Sequence, residues 1–360
     1  MTSKDFADWG IRIRTAPDKG YYALWDRLRT IRLDLGTPGL PLDIERPEFV
    51  DIGITERCNA KCPFCYVSAG PAGHDYQGIV DTWKSWIAGF QADKALTPAE
   101  DPILLDCLSL KGATPGTPEF EESVRLLAAY RRAGATLTEK PFQVAIGSVG
   151  EPTVHPELPE FLEAVWSDRV VPNYTTNGIV LASDTSVAER IMEATRKYVG
   201  GVAVSFGNHG LREKAKVAVQ RLVDEGNCKV MIHEIIGSRS DVDDLFRLDQ
   251  EHGDHIHYHV LLPLMAHGRS GKSMDDDTYL YLVDRIRESG NTNLAFGANF
   301  LPFLRKYPGS LSVWDYPEET YSKNILLRPG EVVITPNSFR LTPERVLKFE
   351  DNGNERMAYL

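Results

Sequence analysis

Short apolar runs separated by longer amphipathic stretches recur through the middle of this chain. The runs at 49–55, 142–147, 170–175, 202–206, 229–235 and 255–262 carry the β-branched and aromatic residues typical of strands. Between and after them, apolar positions return every three or four residues, which predicts helices over 118–133, 159–167, 186–199, 211–225, 241–252 and 275–288. The stretch 118–133 carries its own punctuation: Thr117 suits the N-cap, Pro118 the first turn and Gly134 the C-terminal stop. Strands alternating with helices imply a parallel sheet with right-handed crossovers. The six units predict an α/β fold, a partial TIM-like (β/α)6 barrel that stays open instead of closing into eight.

Alternation within two of these strands assigns their faces. In 229–235, Val230 and Ile232 fall on the helix side, leaving Met231 and His233 toward the barrel interior. In 255–262, the same period puts Ile256, Tyr258 and Val260 outward and His255, His257 and His259 inward. His233 and His257 are therefore candidates to contact a bound cofactor or substrate. The alternatives are satisfied histidines in a mixed wall, or a second metal on the three histidines of the last strand.

Two regions break the rhythm. Between the first two strands runs a stretch much longer than one crossover helix needs, with Pro and Gly gathered around 112–118. It reads as an insertion, at 70–118, folded over the site as a mobile lid. Beyond residue 290 the pattern changes again, and Pro329-Gly330 between two apolar runs predicts a hairpin over 324–336. The expected organisation is an N-terminal segment (1–48), a barrel with its insertion (49–270), and a C-terminal helix and hairpin extension (271–360).

The composition suits a water-facing protein: 42% of the 360 residues are apolar and 25% charged. No apolar run approaches the length of a membrane span, and residues 1–20 lack a secretory signal's apolar stretch, so a cytoplasmic protein is expected. The formal net charge of −11 argues against uniform nucleic-acid binding, which needs a basic surface.

Cysteine placement adds the chemistry. Of five cysteines, three fall in Cys58-x3-Cys62-x2-Cys65, directly after the first predicted strand, while Cys107 and Cys228 stand alone. An odd, clustered set reads as a metal site and not as a disulfide framework. Thiolates are the usual ligands of iron–sulfur clusters, and three cysteines leave one iron of a [4Fe-4S] cube without a protein ligand. An open iron can bind a small molecule, which a fully ligated electron carrier cannot. The alternatives are a zinc site completed by a residue such as His74, or three buried thiols. Zinc knuckles usually pair their cysteines as two separated couples.

The segment Cys58-Asn59-Ala60-Lys61-Cys62-Pro63-Phe64-Cys65 resembles the CxxxCxΦC signature of the radical S-adenosylmethionine (SAM) superfamily, with Phe64 at the aromatic position. The resemblance extends as a βα pattern over roughly 49–270. It implies that the open iron chelates SAM, that one electron splits the cofactor into methionine and a 5′-deoxyadenosyl radical, and that the radical abstracts hydrogen from a substrate C–H bond. Ser148-Val149-Gly150-Glu151-Pro152 resembles the family's GGEP motif, with Val149 in place of the first glycine. The resemblance implies that Gly150, Glu151 and Pro152 bind the methionine end. Thr175-Thr176-Asn177-Gly178 resembles a TNG segment near the SAM pocket, and Ser205 matches a frequent ribose or carboxylate contact. Pro263 and Gly268-Arg269 resemble a PxGR-like segment near the adenine.

The substrate implied first is a ribosomally made peptide, with a small metabolite next and a nucleobase third. A flavodoxin- or ferredoxin-type electron donor is the expected partner. The hairpin resembles the opening of a cysteine-rich extension, yet no cysteine follows Cys228, so an extension-bound second cluster lacks ligands. Cys107, in the insertion, is the candidate thiol to return a hydrogen atom to a substrate radical; Cys228 reads as packing. A plain electron-transfer protein and a zinc-binding module are the competing classes.

Overall fold

The computed structural model describes residues 9–16, 21–26, 30–34, 47–109, 114–290, 293–311, 322–335, 345–349 and 355–358. The chain opens with β1 (Ile11–Ala16), β2 (Tyr21–Trp25) and β3 (Thr30–Asp34), an antiparallel meander in which Arg12 pairs with Trp25 and Tyr22 with Leu33. In β4 (Phe49–Gly53), Val50 and Ile52 are fully buried in the main core while Asp51 takes the other face. There follow α1 (Ile79–Ala88), β5 (Lys94–Leu96), α2 (Pro102–Leu108), α3 (Pro118–Ala133) and β6 (Ala135–Leu137). The regular alternation runs through β7 (Gln143–Ile146), α4 (Leu158–Ser167), β8 (Val171–Thr176), α5 (Ser186–Tyr198), β9 (Gly201–Ser205), α6 (Arg212–Glu225), β10 (Lys229–Ile236), α7 (Arg239–His252), β11 (Tyr258–Pro263) and α8 (Asp276–Ser289). The remaining elements are β12 (Leu294–Phe296), α9 (Leu301–Lys306), β13 (Ser322–Arg328), β14 (Glu331–Thr335), β15 (Arg345–Phe349) and β16 (Glu355–Ala358).

The predicted punctuation of α3 is present. The Thr117 side chain accepts from the Phe120 amide, Pro118 opens the helix, and Gly134 ends it at φ 75°. Strands β4 and β7 to β11 lie side by side in parallel, in sequence order, as the βαβ pattern requires. β12 adds a parallel strand beyond β11, and β13 adds one beyond β4. The predicted hairpin forms as β13 and β14, and its first strand belongs to the barrel sheet; Pro336 lies outside the described residues. β14 to β16 continue as an antiparallel meander, so the sheet does not close. Among the described residues no helix is long and apolar enough to cross a membrane.

Most of the segment expected as a lid, from α1 onward, has a different place. α1 is a barrel helix: Ile79 and Trp83 are fully buried, and Trp83 meets Phe161 of α4 edge-on at 5.9 Å. β6 pairs with β1 and β5, giving a second sheet in the order β3-β2-β1-β6-β5. One face of that sheet, through Ile11, Ile13, Tyr22 and Leu24, is covered by Leu104 and Leu108 of α2 and Leu126 of α3. The other face, through Tyr21, Ala23 and Trp25, packs on Phe142 and Val171 at the starts of β7 and β8. Arg12 donates to the carbonyls of Pro141 and Arg169, which precede those same strands. The sheet is therefore a plate under the barrel floor, at the end opposite the strand C-termini. Residues 110–113 of the Pro/Gly-rich stretch lie outside the described residues.

Candidate functional site

The three cysteines sit on the loop that leaves β4 at the barrel mouth, and backbone bonds fold this loop back on itself. Glu56 N–H donates to His74 O at 2.8 Å, and Cys58 N–H to Gly70 O at 3.0 Å. The Thr55 hydroxyl donates to Asp75 at 2.6 Å, and Arg57 pairs with the same carboxylate at 2.7 Å. Gly73 permits the return, because a Cβ there would stand 2.3 Å from the Glu56 carbonyl. Burial pushes the Cys58 thiol up to about 11 and that of Cys62 upward as well. Such thiols are poor nucleophiles at neutral pH, whereas a bound cationic centre would convert them to thiolates. The three do not converge on one point: among the described residues no three His, Cys, Asp or Glu side chains could hold a single ion. A cube of four irons spreads its ligands more widely than one ion does, and the donor set fits it. Phe64 is half-buried beside Cys65.

The segment after β7 locks onto this loop. Glu151 N–H donates to Arg57 O at 2.9 Å, and a Cβ on Gly150 would stand 2.4 Å from Thr55 O and 2.7 Å from Arg57 O. Gly150 has φ +73°, so both space and conformation demand glycine. The Glu151 carboxylate, 3% exposed, accepts from the Thr153 amide and hydroxyl, the Thr176 hydroxyl at 2.7 Å and the Asn177 amide at 2.7 Å. Burial pushes this carboxyl upward against those bonds. Glu151 thus fastens the end of β8 to the end of β7, its oxygens occupied by the protein. Pro152 and Thr176 are buried in the same joint. The Asn177 side chain turns to the loop, its Nδ2 donating to Asn59 Oδ1 at 2.8 Å and lying 3.8 Å from Cys58 Sγ.

A third strand end completes the frame. Gly268 has φ +58°, and its missing Cβ faces Cys65 O at 2.2 Å. Arg269 donates from its backbone to Cys65 O at 3.0 Å, and from its side chain to Cys62 O at 2.8 Å and Ala69 O at 2.9 Å. The Gly-Arg pair expected near an adenine here clamps the cysteine loop. Beside the loop opens a groove of about 570 Å³, lined by Glu56, Lys61, Tyr76, Val149 and Arg328 among others.

Ser205 and His233 are register partners on β9 and β10, on the face opposite the fully buried Val204 and Ile232. Desolvation lowers His233 to about 4, leaving a neutral imidazole at physiological pH. The other histidines require correction. His255 belongs to a short 3-10 turn and β11 starts only at Tyr258, so the alternation slips by one. His259 pairs in register with Ile232, is fully buried on the helix side, and lies 3.4 Å from Asp249 of α7. His257 precedes the strand, exposed, with its ring 4.4 Å from that of Tyr258. It bonds through its backbone to Val230 near the floor, away from the mouth. Cys107 is likewise misplaced for chemistry: it packs on α2 among the plate's core residues, under the barrel. Cys228 packs against the main core, as expected.

The structure adds two residues to the site. Asn208, in the turn after β9, points its amide at Cys62 Sγ, 3.2 Å away. Asp51, on the interior face of β4, is raised to about 6 by desolvation. Asp51 was legible, since a lone carboxylate inside an apolar strand is unusual. Asn208 carried only a turn signal.

No protein-family model matches this chain, and no curated protein does. The fold is similar to that of SuiB from Streptococcus suis in complex with its precursor peptide SuiA, with TM-score 0.50, 15% identity, and coverage of 82% of this chain and 60% of that one. SuiB bound to S-adenosylmethionine gives TM-score 0.49, 16% identity and coverage of 82% and 61%. The chain spans about 60% of the length of the SuiB chain it matches. The likeness establishes the architecture: a mixed α/β fold built on an open, partial barrel of parallel strands.

Proposed function

We propose that this chain is a radical SAM enzyme, with Cys58, Cys62 and Cys65 holding a [4Fe-4S] cluster at the barrel mouth. The observation that carries this reading is the frame around the cysteine loop, to which the ends of β7, β8 and β11 are all bonded. When bound, the cluster would supply the electron that splits SAM into methionine and a 5′-deoxyadenosyl radical, which takes hydrogen from a substrate C–H bond. The chain's own residues then have stated tasks. Gly150 and Glu151 fix the loop and the Thr176-Asn177 corner. Arg269 holds the carbonyls of Cys62 and Cys65. Ser205 and the neutral His233 line the wall below, where cofactor or substrate would lie. The plate closes the floor to water, which radical chemistry requires.

The substrate we infer is a ribosomally made peptide, because SuiB shares the fold and was solved with a precursor peptide, and because the groove beside the loop is open to a chain. The electron would come from a flavodoxin- or ferredoxin-type donor. Anaerobic reconstitution tests the core of the proposal. The wild-type chain should take up iron and sulfide and release 5′-deoxyadenosine from SAM under a strong reductant. Cys58→Ala, Cys62→Ala and Cys65→Ala should each lose both properties. A Cys62→Ala protein with full iron content and full SAM cleavage would sink the assignment.

A further inference from the structure

The chain does not treat the three cysteine sulfurs alike. Asn208 Nδ2 lies 3.2 Å from Cys62 Sγ, while its Oδ1 accepts the Gly210 amide at 3.1 Å. That backbone N–H fixes the orientation of the side chain, since the oxygen must face the donor and the NH2 group must therefore face the sulfur. Asn177 repeats the arrangement more loosely, with Oδ1 held by the Ile179 amide at 3.0 Å and Nδ2 at 3.8 Å from Cys58 Sγ. Among the described residues no side-chain donor is directed at Cys65 Sγ. Both asparagines stand where a strand of the barrel ends, after β8 and β9, so the scaffold places both.

Resting on the cluster assignment above, we propose that Asn208 sets the reduction potential of the cluster by donating an N–H to the Cys62 thiolate, with Asn177 acting more weakly at Cys58. A donor aimed at a ligating sulfur stabilises negative charge there. The reduced cluster carries one more electron than the oxidised one, so the donor favours the reduced form and raises the potential. Because the Gly210 amide anchors the other end of Asn208, the donor cannot turn away when the charge changes. Asn208 is a positioning residue in this sense: it acts on the cluster through a ligand and takes no part in hydrogen abstraction.

The test is a redox titration followed by electron paramagnetic resonance, on the full reconstituted chain without SAM. The variants are Asn208→Leu, which keeps the volume and removes the donor, and Asn208→Gln, which keeps an amide. Asn208→Leu should hold the same iron and sulfide as wild type and show a more negative midpoint potential. Asn208→Gln should lie between the two. An unchanged midpoint in Asn208→Leu with full iron content overturns the proposal. Loss of iron in both variants also overturns it, because Asn208 would then serve assembly. A difference that emerges only after SAM is added would assign Asn208 to SAM binding and overturn it as well. Failure of the wild type itself to assemble a cluster would mark failure of the enzyme assignment, from which this inference would fall in turn.

Discussion

Gly150 has a second task beside the one its motif implies. The motif reading assigns its backbone to the methionine of SAM, which predicts weaker SAM binding with an intact cluster when the glycine is enlarged. The structure gives its side-chain direction to the protein, with Thr55 O and Arg57 O closer than any real Cβ contact. Gly150→Val must therefore push the cysteine loop off β7, and the positive φ adds backbone strain of roughly 1–3 kcal/mol. The expected outcome is loss of iron uptake together with lowered stability, read by iron counting and by urea denaturation. Normal iron content with reduced SAM affinity alone would favour the motif reading over this one. Glu151 follows the same logic, for its four hydrogen bonds stay inside the protein and its effect on any ligand passes through Asn177 and Thr176.

Elements were legible where their physics is local. The six barrel strands, the helix α3 and the hairpin turn at Pro329-Gly330 all follow from periodicity and punctuation, and all are present. Two failures share one cause, which is pairing that periodicity cannot report. The strand over 255–262 begins three residues late because a 3-10 turn consumes 253–255, and a shift of one residue exchanges the faces of a strand. The supposed lid contains β5, which pairs with β6 beyond the segment; β6 in turn pairs with β1, more than a hundred residues earlier, and short strands of that kind leave almost no signal. This relocation reverses an expectation about dynamics. On cluster and SAM loading, hydrogen exchange should slow across 56–75 and 265–270, which are bonded to one another, and stay unchanged across 94–108 and 118–137. Slowing confined to the second pair of segments would return the lid to the mouth.

The molecule as a whole is a barrel standing on a plate, and the contact between them is aromatic. Trp25 stacks with Phe142 at 6.1 Å between ring centroids, Trp9 meets Trp166 at 4.7 Å, and Tyr21 and Ala23 complete the buried face. The two bodies are also interleaved in sequence, since the plate takes strands from before β4 and from between β4 and β7. Neither can finish folding without closing loops through the other, so one cooperative transition is the expected behaviour. Tryptophan fluorescence and far-UV circular dichroism should then give coincident urea curves. Removing the central ring in Trp25→Ala should cost about 3–5 kcal/mol, the usual range for a buried large aromatic. It should also open the floor at the starts of β7 and β8 to water, so SAM cleavage uncoupled from substrate should rise relative to wild type. The iron content should not change, because the cysteine loop lies at the far end of the strands. A Trp25→Ala protein with wild-type stability would mean that the plate is not packed under the barrel, and Cys107, which sits in the plate's core, would again be free to reach the mouth.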